Sequence, residues 1–241
     1  MDRALYAAAT GMAAQQLNLD VIADNLANAD VAGFKGSVAS FTALAAPGEP
    51  GLGTAALGEH VVFSQGRLAK ATGTFDVAID GAGFFAVEDD RGRRAYTRDG
   101  EFSRAADGTL RNGLGYRLAG VRIPSDARSV AVGEDGFVGV TTAHGRRVAG
   151  RIRLAEFAAP ENLRGLGGTM FEETRASGAA RTIDPGGDGP KVRFGMLEES
   201  NVSIIESMMS MLAAQRAYEA DAKGVQAADE MLRIANNLQR G

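Results

Sequence analysis

Residues 203–238 read SIIESMMSMLAAQRAYEADAKGVQAADEMLRIANNL, a long stretch without proline. Within it Ile204, Met211, Tyr218, Val225 and Leu232 recur every seven positions, and Met208, Gln215, Ala222 and Asp229 form the companion row. A seven-residue apolar repeat predicts a helix that lays a narrow seam against another helix. Ser203 and Glu206 have the capping-box spacing, which sets the helix start. At 1.5 Å per residue the helix is roughly 54 Å long, more than one small globular core covers.

The opposite end of the chain carries the same pattern. In residues 3–28, Leu5, Met12, Leu19 and Leu26 recur every seven positions, with Ala8, Gln15 and Ile22 beside them. This helix is roughly 39 Å long. Gly11 lies inside it, costs about 1 kcal/mol relative to alanine, and leaves room for another helix to approach. Gln15 and Gln215 sit in the two seams, where a polar residue either fixes register or touches water. An isolated helix is marginal in water and gains its stability by burying its apolar face. Two alanine-rich faces bury little, so the two ends are expected to pair and still leave apolar surface over. Met208, Met209, Met211 and Leu212 are expected to meet other subunits, methionine being suited to contacts that repack.

Between the ends the character changes. Most of the 32 glycines lie between Gly33 and Gly195. His60–Phe63, Asp76–Ile79, Phe84–Val87 and Val130–Val132 are short apolar runs that predict strands. Asp-Gly recurs at 80–81, 99–100, 107–108, 135–136 and 188–189, a dipeptide suited to tight turns because glycine accepts positive φ. The expected fold class is α+β: a discontinuous, coiled-coil-like helical domain from residues 1–30 and 200–241, with an antiparallel β-rich domain over 59–175 inserted between them. Residues 31–58, with Pro47 and Pro50, are expected to be an extended connector, and 176–199 a return linker.

Composition excludes several function classes. The net charge of −4 argues against general nucleic-acid binding. With no cysteine there is no disulfide, no zinc–thiolate site and no cysteine nucleophile. No stretch reaches the ~18 apolar residues that span a bilayer, so membrane insertion is not expected. Polar residues Gln15, Gln16, Asn18 and Asp20 interrupt any signal-peptide core, so no cleaved signal is expected. His60 and His144 lack metal-ligand spacing. Gly81-Ala82-Gly83-Phe84-Phe85 lacks the third glycine and the helix of a dinucleotide loop and reads as a turn into a buried strand. Asp89-Asp90 before Arg91-Gly92-Arg93-Arg94 reads as a charged hairpin tip. Arg146, Arg147, Arg151 and Arg153 form a basic cluster, read as a solvated face or an anionic partner surface. Asn201-Val202-Ser203 reads as helix capping. No catalytic residue, cofactor site or metal site is expected, and an enzyme is not. A secreted cell-wall hydrolase, resting only on acidic residues in the middle domain, is the rival class.

Several collinear blocks carry a resemblance. Asn25-Leu26-Ala27-Asn28-Ala29-Asp30-Val31-Ala32-Gly33-Phe34-Lys35, Ser64-Gln65-Gly66-Arg67-Leu68, Asp76 through Phe85, and Tyr96-Thr97-Arg98-Asp99-Gly100-Glu101-Phe102 form one series. Glu199-Ser200-Asn201-Val202 and Gln215-Arg216-Ala217-Tyr218-Glu219 complete it. Together they resemble the flagellar basal-body rod protein family, most nearly its distal rod members, with proximal rod or other axial members next. Asp24 and Val31 depart from the more usual Asn and Thr, and the Ala45–Gly58 segment is shorter than in typical distal rod proteins. Asn25, Asn28, Gly33, Phe34, Lys35, Gly81, Gly83 and Asn201 are the motif positions. The resemblance implies a structural subunit that self-assembles into a helical tube in the periplasm and transmits torque to the hook. It implies homo-oligomerisation, contacts with other rod and hook proteins and with surrounding ring proteins, export through the flagellar type III apparatus, and no cofactor. Leu5, Met12, Leu19, Ile22, Leu26, Ile204, Met208, Met211, Tyr218, Val225 and Leu232 are the expected assembly interface.

Overall fold

The structure is a computed structural model that describes residues 2–44 and 53–238. The chain is α+β. Helix α1 (Asp2–Ala27) and strands β1 (Ser37–Ala43) and β2 (Thr54–Val61) come first, and helix α2 (Ile204–Leu238) comes last. The chain divides into two compact units, one of residues 1–29, 36–62 and 202–241, the other of residues 30–35 and 63–201.

In the first unit α1 packs on α2 and on the β1–β2 hairpin. β1 and β2 are antiparallel, Ser37 opposite Val61 and Ala43 opposite Thr54. This corrects the extended connector expected over 31–58, because its two arms hydrogen-bond to each other. It also corrects the strand expected at His60–Phe63, which ends at Val61. Residues 45–52 of the expected loop, with Pro47 and Pro50, lie outside the described residues. Ser203 caps α2 as its spacing predicts: its hydroxyl accepts from the Glu206 amide at 3.3 Å.

The second unit carries the remaining strands: β3 (Leu68–Lys70), β4 (Val77–Asp80), β5 (Phe84–Glu88), β6 (Arg94–Thr97), β7 (Ser103–Arg104), β8 (Thr109–Arg111), β9 (Arg117–Arg122), β10 (Ser129–Val132) and β11 (Phe137–Thr142). They are followed by β12 (Gly145–Arg151), β13 (Leu154–Glu156), β14 (Arg164–Gly167), β15 (Met170–Glu172), β16 (Arg181–Ile183), β17 (Lys191–Phe194) and β18 (Met196–Glu198). The main sheet runs β10-β11-β12-β9-β5-β6-β15-β14, with β13 and β16 added at β5 and the β7–β8 hairpin at β9. The paired strands are antiparallel, which suits the short turns between them. Asp107-Gly108 closes β7 onto β8 and Asp135-Gly136 closes β10 onto β11, both glycines at positive φ. The other recurrent Asp-Gly pairs do not join paired neighbouring strands.

Alternation makes the core. Along β11, Val138, Val140 and Thr142 point inward while Phe137, Gly139 and Thr141 do not. Phe85, Val87, Leu118, Val121, Ile123, Ile152 and Leu154 meet Val138 and Val140 in one apolar cluster. Gly81 and Gly83 lead into β5, where Phe84 and Phe85 are buried as predicted. Phe63, Phe84, Phe157, Phe171 and Tyr96 form a second, edge-to-face aromatic cluster with centroids 4.8–6.3 Å apart.

The return linker expected over 176–199 is a correction as well. β17 pairs with β4 and β18 with β3, so this segment zips the end of the unit to its beginning. Backbone ladders make it part of the β-rich unit, which therefore extends beyond the expected 59–175 boundary.

Candidate functional site: the signature junction and the helical face

Two regions hold the residues singled out by sequence. The first lies in the β unit, where the chain's entry and exit meet. Gly33 donates its amide to the Glu198 carbonyl at 2.7 Å, and the Asn201 amide donates to the Phe34 carbonyl at 3.4 Å. Gly33 has φ +68°, and a Cβ there would stand 2.3 Å from the Asp99 amide nitrogen, so only glycine fits. Gly66 answers a similar demand: a Cβ would stand 1.9 Å from the Glu199 carbonyl oxygen.

Glu198 is fully buried between two cations. Its Oε1 accepts from Lys35 Nζ at 2.5 Å and from the Gly66 amide at 2.9 Å, and its Oε2 accepts from Arg98 Nη1 at 3.2 Å. Lys35 also donates to the Ser64 carbonyl at 2.7 Å, and Arg98 Nη2 to the Gly81 carbonyl at 2.9 Å. The Arg98 guanidinium stands 5.5 Å from the Phe84 ring centroid. Burial holds both Lys35 and Arg98 below their ordinary basic range, with Glu198 acting in the opposite direction. Asp99, next in the chain, is pushed up to about 6 by burial. Outside this buried group Arg67 clasps Glu199 with two bonds of 2.9 Å, and Asn201 Nδ2 donates to Ser64 Oγ at 2.9 Å.

Motif positions 33–35, 81 and 201 are thus brought together with partners far away in sequence. Asn25 and Asn28 serve the helical unit instead. The Asn25 side chain donates to the Ser37 carbonyl at 2.7 Å and accepts from the Ser37 amide at 2.8 Å, fixing the end of α1 to the start of β1. Asn28 donates to the Asp24 carbonyl at 2.8 Å. Gly83 lines the turn before β5.

The second region is the helical pair. On α1 the expected row is shielded within the chain: Ile22 is buried, and Leu5, Met12, Leu19 and Leu26 are half-buried. Gly11 does what its size allows. The Asp221 carboxylate rests over it, 2.8 Å from where a Cβ would be. On α2 Met211 and Val225 are half-buried, while Ile204, Met208 and Tyr218 are exposed. The side chain of Leu232 lies outside the described residues.

The companion row on α2 is corrected. The shielded positions beside Met211 and Val225 are Ser207, Ala214, Asp221 and Ala228, not Met208, Gln215, Ala222 and Asp229 as a row. Both rows obey the same repeat, and the small residues win because they let the helices approach. Gln215 is exposed and faces water. As a result Ile204, Ile205, Met208, Met209 and Leu212 form an apolar face open to solvent, with Ile205 74% and Met209 66% exposed.

Sequence reasoning missed Glu198, Arg98 and Asp221 as site residues. The available signal was a charge within an otherwise small or apolar block, as in Tyr96-Thr97-Arg98-Asp99 and Met196-Leu197-Glu198. Other polar features noted in the sequence lie outside these two regions. Asp89 and Arg93 pair at 2.7 Å across the tip of the β5–β6 hairpin. His60 Nδ1 lies 3.2 Å from Ser40 Oγ on an exposed strand, and His144 sits exposed in the turn between β11 and β12.

Comparison with known proteins agrees with this geometry. Residues 5–35 match the family described as flagella basal body rod protein. Residues 78–140 match the flagellar hook protein FlgE/F/G D1 domain, and residues 194–238 the flagellar basal body rod FlgEFG protein C-terminal family. The flagellar basal-body rod protein FlgG of Borreliella burgdorferi is 39% identical over 264 residues, covering 100% of both chains. The FlgG of Bacillus subtilis is 33% identical over 265 residues, again covering 100% of both. The flagellar basal-body rod protein FlgF of Caulobacter vibrioides is 32% identical over 250 residues, covering 98% of this chain and 97% of its own. With such relatives matched along the whole chain, and with its two signatures folded onto each other, the chain belongs to the flagellar basal-body rod protein family.

Proposed function

We propose that this structural rod subunit self-assembles through its helical unit into the tubular drive shaft of the flagellar basal body, where it transmits torque to the hook and has no catalytic role. The carrying observation is the uncovered apolar face of α2 from Ile204 to Leu212. Contiguous apolar surface of this kind marks a site of association. Copies of the chain packed side by side would cover it, and the seven-residue spacing of the shielded rows supports coiled-coil-like packing between helices. Many such contacts in parallel make a stiff shaft from weak individual terms.

The same reading places the chain in a periplasmic rod, exported through the flagellar apparatus, with other rod and hook proteins as axial neighbours and ring proteins around it. A cysteine probe tests the proposal, since the chain has no cysteine of its own. Met209→Cys is expected to react rapidly with a maleimide in the free subunit and to be protected in isolated rods. Equal labelling in both states would remove this face from the assembly surface.

A further inference from the structure

The arginines around Arg151 have a setting that rod assembly by the helices does not explain. A trough of about 310 Å³ lies against the central strands, at the lower end of the size range of ligand clefts. Its floor is made of small groups from separate strands: Ala86 on β5, Ala119 and Gly120 on β9, and Ala155 on β13. Its walls carry Arg94, Arg151 and Arg153, and no aspartate or glutamate lines it.

The nearby carboxylates are already shared. Asp184 meets Arg151 at 2.7 Å and Arg153 at 3.5 Å. Glu88 meets Arg94 at 3.4 Å and Arg117 at 3.0 Å. Glu173 is engaged by the Tyr96 hydroxyl at 3.3 Å and by the Ala180 amide at 3.1 Å, and Glu156 by Arg181. Arg94 and Arg153 keep 70% and 65% of their side chains accessible. The Arg151 guanidinium is held in place, 4.5 Å from the Phe137 ring centroid and donating to the Asp135 carbonyl at 3.1 Å. This cationic surplus runs against a chain whose net charge is −4.

We propose that the trough is a docking site for an acidic peptide segment of a partner protein. The small floor admits a chain lying across the strands, and planar guanidinium forks on its walls match carboxylates in two-bonded geometry. Charge complementarity selects the partner: an extended segment carrying glutamates or aspartates. The trough lies wholly within the β unit.

The test uses the purified full-length chain and a peptide carrying fluorescein on its N-terminal amine, fluorescein-Ala-Glu-Ala-Glu-Ala-amide, read by fluorescence anisotropy at low salt. Binding is expected, weakened at least tenfold by Arg94→Gln combined with Arg153→Gln, by glutamine in place of both peptide glutamates, and by 0.5 M salt. Arg164→Gln, outside the trough, is expected to leave binding unchanged, and the melting temperature of each variant to match the parent. No binding, or binding indifferent to Arg94 and Arg153, would overturn the proposal. So would displacement of the peptide by equimolar inorganic phosphate, which would make the trough a phosphate site.

Discussion

The two units of this chain are stabilised in opposite ways. The β unit is closed: its apolar strand faces are buried in one cluster, and its two chain ends are tied by a buried ion group and paired strands. The helical unit is open. Its described buried apolar side chains on the helices are Ala14, Val21, Ile22, Ala214 and Ala228, while large residues of α2 face solvent. A buried methylene contributes about 0.8 kcal/mol, so a seam made largely of alanines adds little within one chain. Damage to the β unit should therefore appear as unfolding, and damage to α2 as failed association.

The largest effect is expected at Glu198. Glu198→Ala leaves Lys35 and Arg98 buried without their carboxylate, and breaking a buried pair costs about 3–5 kcal/mol. Urea denaturation followed by tyrosine fluorescence should show a loss of that size. A loss below about 1 kcal/mol would mean that the ion group is not what ties the entry to the exit.

The same substitution made in both units sharpens the contrast. Gly33→Ala places a Cβ against backbone at positive φ, and a cost of about 2–3 kcal/mol is expected. Gly11→Ala meets only the carboxylate end of the Asp221 side chain and gains up to about 1 kcal/mol of helix propensity. Melting of the two variants should therefore differ, with Gly11→Ala within about 1 kcal/mol of the parent. Equal losses would contradict the comparison.

Acidity gives a smaller, signed effect. The Asp99 carboxyl is held near pH 6 in the folded unit against 3.8 as its ordinary value. The folded state therefore binds this proton more tightly than the unfolded chain does. Its stabilising contribution is present below about pH 4 and is lost as pH rises through 6. Asp99→Asn should remove this dependence and stabilise the β unit at pH 7 by about 1–3 kcal/mol. Identical pH profiles for parent and variant between pH 4 and 7 would refute it.

Much of this division was legible in the sequence, and the misses have physical reasons. The seven-residue repeat located both helices, and Ser203 marked the start of α2. The repeat did not decide which companion row is shielded, since 208-215-222-229 and 207-214-221-228 have the same period. Hydrophobicity favoured Met208, but close approach at Gly11 favoured alanine and the Asp221 carboxylate. Short apolar runs revealed β4, β10 and the glycine-led entry to β5, but not β11. The β1–β2 hairpin was hidden because its strands are largely exposed and carry weak alternation. Strands β17 and β18 were hidden for a different reason. Their partners lie more than a hundred residues away, and glycines and prolines before them read as a linker. The Lys35–Glu198–Arg98 group is equally non-local, so only the signatures around it pointed to the place.

If the proposed function holds, α2 keeps its apolar face for other copies, and removing that face leaves the fold of the subunit intact. Ile205→Asp combined with Met209→Asp tests it most directly, with two readings on one protein: rods counted in isolated basal bodies, and the melting temperature of the purified subunit. Rods are expected to be lost while the melting temperature stays unchanged within error. Rods at parental number, or a subunit that melts well below the parent, would contradict it.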